Sequence, residues 1–345
     1  MLQILSLLFD VVLIMELEEF IRERAKIFDR ALNGNLEHFE PRIFYDALRY
    51  IPLSGGKRLR PIIAMLACEA VGGVPEKAIP CGIALEYMHN STLIHDDIID
   101  KDEWRRGLES THKKFGIPYA ILAGDALIGE TYRMLSYMAP PEMDSIIYKE
   151  IIRSLADAAK SFYEGEAQDI LFANRLDVTL PEYNEMVKKK TGQLYYLAGK
   201  CGALIGKGTY QQVQQLAEYG MLFGIMFQIK DDLLNILTPQ DALGKQEVGS
   251  DIKNGKRTLM FVHCLLNIDE KDRKVLMNIC GNPKATPKGV QKAIDIFHKT
   301  GSIKYAQDKL NDLSKRAHGC LDILKDSESK NYLAGLADYS VTRPY

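Results

Sequence analysis

The chain has 345 residues, and its 44 lysines and arginines against 46 aspartates and glutamates leave a formal charge of -2. That balance excludes a general nucleic-acid binder, which carries a basic excess, and 46% apolar with 26% charged residues excludes disorder. Cys68, Cys81, Cys201, Cys264, Cys280 and Cys320 form no C-x-x-C pair, so neither a zinc site nor a secreted disulfide framework is expected, and a cytoplasmic location is.

At the amino terminus residues 1–15, MLQILSLLFDVVLIM, are strongly apolar. The run is shorter than the roughly 20 residues that cross a bilayer. Asp10 interrupts it and no basic residue precedes it, so neither stable membrane insertion nor a signal peptide is expected. It reads either as a first helix packing on the body or on a partner subunit, or, as favoured here, as an extension that is a start-site artefact or a weakly ordered arm, ahead of a single domain over 16–345. Leu17, Phe20, Ile21, Ala25 and Phe28 then recur at spacings of three and four, the pattern of an amphipathic helix. The same period predicts helices over Pro61–Val71, Ala78–Ile99, Ala120–Met138, Ser145–Leu171, Tyr183–Ile205, Val213–Leu237 and Leu259–Ile268. Breakers such as Gly72-Gly73-Val74-Pro75, Gly116-Ile117-Pro118, Pro140-Pro141 and Gly281-Asn282-Pro283 separate them. No stretch alternates as a strand would. The expectation is an all-α bundle of roughly a dozen helices at ordinary helix and connection lengths. Leu237–Thr258 reads as a long functional loop.

Asp96-Asp97-Ile98-Ile99-Asp100 closes an apolar helix. Asp96 and Asp100, four apart, share a face, with Asp97 beside them. Crowded carboxylates repel one another and oppose the negative end of the helix dipole. Divalent cations between them remove that cost, and magnesium suits oxygen ligands combined with a phosphate-bearing substrate. Gln228-Ile229-Lys230-Asp231-Asp232 repeats the arrangement, with Asn235 where a third aspartate could stand. Two matched helix ends predict two walls of one metal-lined cavity.

Cations complete the pattern. Gly55-Gly56-Lys57-Arg58-Leu59-Arg60-Pro61 is a glycine turn into a helix, where amides and side-chain cations hold an anion. Arg105-Arg106-Gly107 follows the first acidic motif, Lys190-Thr191 ends a basic run, and Lys245 and Gly255-Lys256-Arg257-Thr258 fall in and after the long loop. Singly, each reads as a solvated surface charge. Together they supply what a diphosphate needs.

GGKRLRP, LIHDDIID followed by RRG, KKKTGQL, QIKDD and GSDIKNGKRT stand in an order that resembles the trans-isoprenyl diphosphate synthase (polyprenyl synthetase) family. The resemblance implies an all-α fold around a deep central cavity, in a homodimer. It implies condensation of isopentenyl diphosphate with an allylic diphosphate, with Mg2+, three ions per site, as the cofactor. On this chain it implies that Asp96 and Asp100, assisted by Asp97, and Asp231, with Asp232 nearby, bind the metals. Arg105 resembles the family's allylic-diphosphate arginine, and Lys57, Arg60, His89 and Arg106 resemble its isopentenyl-diphosphate site. Lys190, Thr191, Gln228, Lys245 and Lys256 resemble the remaining allylic contacts. Oxygens near Lys190 and Thr191 and the Gln228 amide are expected to favour the carbocation. Asn235 and Glu109-Ser110 depart from the family's pattern. A class I terpene cyclase or a catalytically silent regulatory subunit are the alternatives.

Product length is expected to follow the helix below Asp96. Thr92 and Ser91 lie four and five residues earlier, roughly 6–7.5 Å down the axis, and are small, so a growing chain is expected to pass them toward Met88 and Tyr87. That predicts a product of geranylgeranyl length or longer.

Overall fold

The computed structural model describes residues 2–36, 39–139, 141–239 and 248–343, with the backbone alone over 2–14. In chain order the first helices are α1 (Leu2–Asn35), α2 (Arg42–Tyr50), α3 (Leu59–Ala70) and α4 (Ile79–Ile99), then a β1–β2 pair (Trp104–Arg105, Leu108–Glu109). Next come α5 (Thr111–Phe115), α6 (Ile117–Ser136), α7 (Ser145–Ala173), α8 (Leu180–Val187), α9 (Gln193–Ile205) and α10 (Tyr210–Leu237). The last are α11 (Ser250–Lys253), α12 (Leu259–Asn267), α13 (Glu270–Ile279), α14 (Pro287–Lys299), α15 (Ser302–Leu321) and α16 (Glu328–Thr342). The protein is all-α, as its periodicity predicts. Among the described residues no helix is long and apolar enough to cross a membrane.

Two expectations need amendment. The helix predicted over Tyr183–Ile205 is interrupted by a π turn at Lys188–Gly192, which a search for period 3.6 passes over. The antiparallel pair Trp104↔Glu109 and Arg105↔Leu108 was not predicted, because two residues per strand leave no alternation to see. At the amino terminus, 2–15 continue the helix of 16–35.

The chain forms two compact units, Met1–Leu155 with Leu194–Gly220 and Cys320–Tyr339, and Ala156–Gln193 with Met221–Gly319 and Ser340–Tyr345. In the first, α4 packs against α3 and α6. Pro80 opens α4, where a missing N–H costs nothing. Ile83, Leu85, Tyr87, Met88 and Ile94 are buried along it, facing a core shared with Ile62, Ile63, Leu66, Ala123 and Leu127. Each such side chain contributes about 1.5–3 kcal/mol by leaving water. Thr131 of α6 reaches across to the Ala84 carbonyl. In the second unit, Thr179 and Glu182 cap α8 reciprocally, removing two orphaned donors. Helix α12 packs on α8, and α13 on α14.

Candidate active site

In the first unit the glycine turn and the hairpin share one purpose, the gathering of guanidinium groups. Gly55 and Gly56 have φ of 90° and 134°, open to glycine and strained for other residues. A Cβ on Gly56 would lie 3.1 Å from the Arg106 guanidinium carbon, so the second glycine makes room for that side chain. Arg106 donates to the carbonyls of Ile51 and Gly55 and to Ser54 Oγ. It occupies the hairpin turn with φ 53° beside Gly107 at 78°, the two positive values of a type I′ turn. Such backbone strain in a non-glycine residue persists only where its surroundings hold it.

Arg58, also left-handed at φ 51°, is buried. Its guanidinium donates to Glu86 (2.5 Å), Asp29 (2.8 Å) and the Pro52 carbonyl (2.6 Å). That three-way anchor fixes the entry to α3 and hence Arg60, whose guanidinium lies 4.3 Å from the Tyr195 ring centre. Beside them stands His89, whose pKa is held well below 6.5, first by burial and then by the charges of Arg60, Arg106, Arg105 and Arg58. The structure thus brings the predicted residues His89, Arg60, Arg105 and Arg106 into one electropositive cluster. Lys57 lies over the Tyr339 ring at 5.5 Å and lines a cleft of about 340 Å³ with Arg22, Lys26 and Asp29.

The three carboxylates ending α4 are not equivalent. Asp96 and Asp100 are partly exposed, whereas Asp97 is fully buried. Asp97 Oδ1 accepts from Arg105 Nε at 2.8 Å and from the same guanidinium's Nη2, while its Oδ2 has no hydrogen-bond partner. Burial pushes the Asp97 carboxyl up even though Arg105 pulls it down. Burial likewise opposes the Arg105 charge, and the bonds to Asp97 more than restore it. Thr92 and Ser91 are buried one turn below, their hydroxyls bonded back to the His89 and Met88 carbonyls at 2.8 Å. Tyr87 and Met88 follow, also buried.

In the second unit, Lys190 Nζ lies 2.7 Å from both Glu166 and Asp169. Thr191 Oγ1 donates to Gln228 Oε1 (2.8 Å), Gln228 Nε2 donates to Asp232 Oδ1 (2.8 Å), and Tyr183 Oη donates to Asp232 Oδ2 (3.3 Å). The π turn aligns this chain of bonds. On a regular helix Thr191 would stand about 80° round from Tyr183, because eight steps of about 100° overshoot two turns. A turn closed by i→i+5 bonds advances each residue by roughly 82°, and four such steps cancel most of the offset. Both side chains therefore meet α10.

Asp232 is buried, and its carboxyl is held well above the usual range, by burial first and then by the charge of Asp251, with Asp231 adding to the effect against the Gln228 bond. Asp231 keeps 45% of its side chain exposed. Asn235 donates to Ser250 Oγ and accepts from the Asp251 N–H, pinning the returning chain, and an aspartate could not make the first of these bonds. Lys256 Nζ is 3.6 Å from Asp251. Lys245 lies outside the described residues. Sequence reasoning missed Glu166, Asp169, Tyr183, Asp251 and Arg343, the last of which is paired with Asp231.

The donors suit magnesium. Asp96, Asp100 and Asp231 offer carboxylate oxygens, and among the described residues no three acidic, histidine or cysteine side chains converge as an all-protein cage. Magnesium is held by one or two carboxylates, with water and phosphate oxygens completing the shell.

The all-α scaffold thus carries a guanidinium cluster and a carboxylate-ended helix in its first unit and a second carboxylate-ended helix segment in the other. The polyprenyl synthetase family model matches residues 41–297, and the chain belongs to that family. It is 38% identical over 331 residues to the short chain isoprenyl diphosphate synthase of Methanothermobacter thermautotrophicus, covering 96% of this chain and 100% of that one. It is 34% identical over 344 residues to the geranylfarnesyl diphosphate synthase of Natronomonas pharaonis, covering 95% and 98%. The solved geranylgeranyl pyrophosphate synthetase from Pyrococcus horikoshii superposes with a TM-score of 0.89 at 38% identity, over 95% of this chain and 99% of that one.

Proposed function

We propose that the chain is a trans-prenyltransferase that condenses isopentenyl diphosphate head-to-tail with an allylic diphosphate (dimethylallyl, geranyl or farnesyl), releasing a trans-polyprenyl diphosphate of geranylgeranyl length or longer. The observation that carries this reading is the seating of His89 among Arg58, Arg60, Arg105 and Arg106. Arg58 and Arg105 are already paired with carboxylates, and Arg60 and Arg106 beside them supply the positive charge that suits an anion; a diphosphate has the charge and the bidentate geometry.

Arg60, Arg106 and neutral His89 hold the isopentenyl diphosphate, with Lys57 at the edge. Arg105, oriented by Asp97, binds the allylic diphosphate, joined by Lys190, Lys245 and Lys256. Asp96, Asp100 and Asp231 hold magnesium, three ions per site, with Asp97 and Asp232 behind them. The metal, when bound, neutralises the charge that develops on the leaving diphosphate. Thr191 and Gln228 present oxygens to the allylic cation without capturing it, fixed in advance by their mutual bond and by Asp232. The double bond of isopentenyl diphosphate attacks that cation, and proton loss completes the cycle. Ser91 and Thr92 leave room for the growing chain. The enzyme works as a homodimer in the cytoplasm, a reducing compartment suited to its six free cysteines.

Purified protein with magnesium, labelled isopentenyl diphosphate and an allylic primer tests this. Elongated diphosphates, lost on chelation, are expected. A cyclic hydrocarbon would make the chain a terpene cyclase, and silence would make it a regulatory subunit.

A further inference from the structure

The last described residue carries a contact that the proposed reaction does not use. The Arg343 guanidinium donates to Asp231 Oδ1, the most exposed carboxylate of the second acidic motif, and to the Phe227 carbonyl at 3.3 Å. Only 4% of the arginine side chain meets solvent, and its guanidinium carbon lies 4.3 Å from the Phe227 ring centre. The segment behind it docks on the same turn of α10. Lys230 Nζ donates to the Val341 carbonyl at 2.8 Å, and Ser340 Oγ lies 3.6 Å from Met226 Sδ. Residues 340–343 are thus seated along 226–231, the stretch that ends in the carboxylates.

The seat is incomplete. Arg343 Nε is buried without a hydrogen-bond partner, a donor that water would satisfy if the segment lifted. A divalent cation brought to the Asp231 carboxylate would meet the Arg343 guanidinium held against Oδ1, and positive charges at that range repel. We infer that Arg343 is a latch: in the metal-free protein it occupies the Asp231 carboxylate, and a divalent cation must displace it, lifting residues 340–343 from α10. The inference rests on the metal role proposed for Asp231. It adds a competitor supplied by the chain itself, so that the second acidic motif opens only when the incoming charge outweighs one arginine.

The test uses the full-length protein and Mn2+ as probe, with the free ion followed by electron paramagnetic resonance in the presence and absence of inorganic pyrophosphate. R343A is expected to bind Mn2+ about tenfold more tightly than wild type, as follows from removing one competing charge at close range. D231N should bind more weakly, and the double variant should match D231N, since the latch acts only through that carboxylate. If D231N weakens binding while R343A leaves it unchanged or weaker, the latch is overturned and the metal role of Asp231 stands. If D231N binds as wild type does, both fall. Wild-type protein offers an independent readout should R343A fail to fold. Amide exchange over 337–343 should quicken when Mn2+ and pyrophosphate saturate the protein, and unchanged exchange overturns the latch.

Discussion

Asp97 stands in an acidic motif yet spends its charge on Arg105, and D97N separates the two roles that this position could play. Arg105 makes two hydrogen bonds to Asp97 Oδ1, with the carboxylate fully buried and a quarter of the arginine side chain exposed. Charge-assisted bonds contribute about 1.5–3 kcal/mol each, roughly twice a neutral one. Asparagine keeps an acceptor and loses the charge, so about half of the pair, near 2 kcal/mol, disappears. Water reaching the exposed quarter of Arg105 trims the loss to about 1.5–2 kcal/mol, or 10–30-fold. The expected result is a 10–30-fold fall in kcat/KM for the allylic diphosphate with the magnesium dependence unchanged. Steady-state kinetics over a magnesium series, with each diphosphate varied in turn, measures both. A magnesium half-saturation shifted more than tenfold at constant allylic KM would refute the positioning role and make the unpartnered Asp97 Oδ2 a metal ligand.

Other expectations follow from the same geometry. S91F puts a ring where a buried hydroxyl now bonds to its own helix, and it should shorten the product by at least one isoprene unit on chromatography of the dephosphorylated alcohols. Unchanged length would remove Ser91 from the pocket wall. Asp232 has a folded pKa well above its value in the unfolded chain, so the native state holds a proton that unfolding releases, and its stabilising effect is present at low pH and lost as pH rises from about 4 through the folded value. D232N should therefore melt higher than wild type at pH 8, with the gap closing toward pH 4; parallel melting curves would refute this. E86A strips Arg58 of a partner where both side chains are at most 4% exposed. With Asp29 still in place it should cost about 3 kcal/mol, the lower end for breaking a buried pair, read as a fall in the urea midpoint at constant slope.

How far the sequence reached depends on the range of each interaction. Helices such as α4 and α10 were legible because burial of one face or of most faces writes itself at spacings of three and four. The carboxylate and arginine motifs were legible because metal and phosphate chemistry demands those residue types close together. What stayed hidden was how the motifs partition their charges. Arg58 and Arg60 look alike in KRLR, yet Arg58 is committed to Glu86 and Asp29, which are 28 and 29 residues away. Lys190 meets Glu166 and Asp169, and the signal there was readable in principle, an acidic EGEAQD helix facing a KKK run. Arg343 belongs to no motif at all, and only the folded chain brings it to Asp231. Asn235, which looks like a lost ligand in sequence, holds Ser250 and Asp251 in place.

The widened turn at Lys188–Gly192 behaves as a phase shifter in an otherwise ordinary rod. Deleting one residue there would let the chain revert to uniform pitch, with better-aligned backbone bonds, and so could stabilise the helix as a helix. The same deletion would leave seven steps of about 100°, within roughly 30° of the present phase. Straightening the turn at unchanged length would instead swing Tyr183 by about 70° relative to Thr191, and Asp232 would lose one of the two groups that steady it. An irregularity that a designer would remove first is the one that keeps two distant side chains in step.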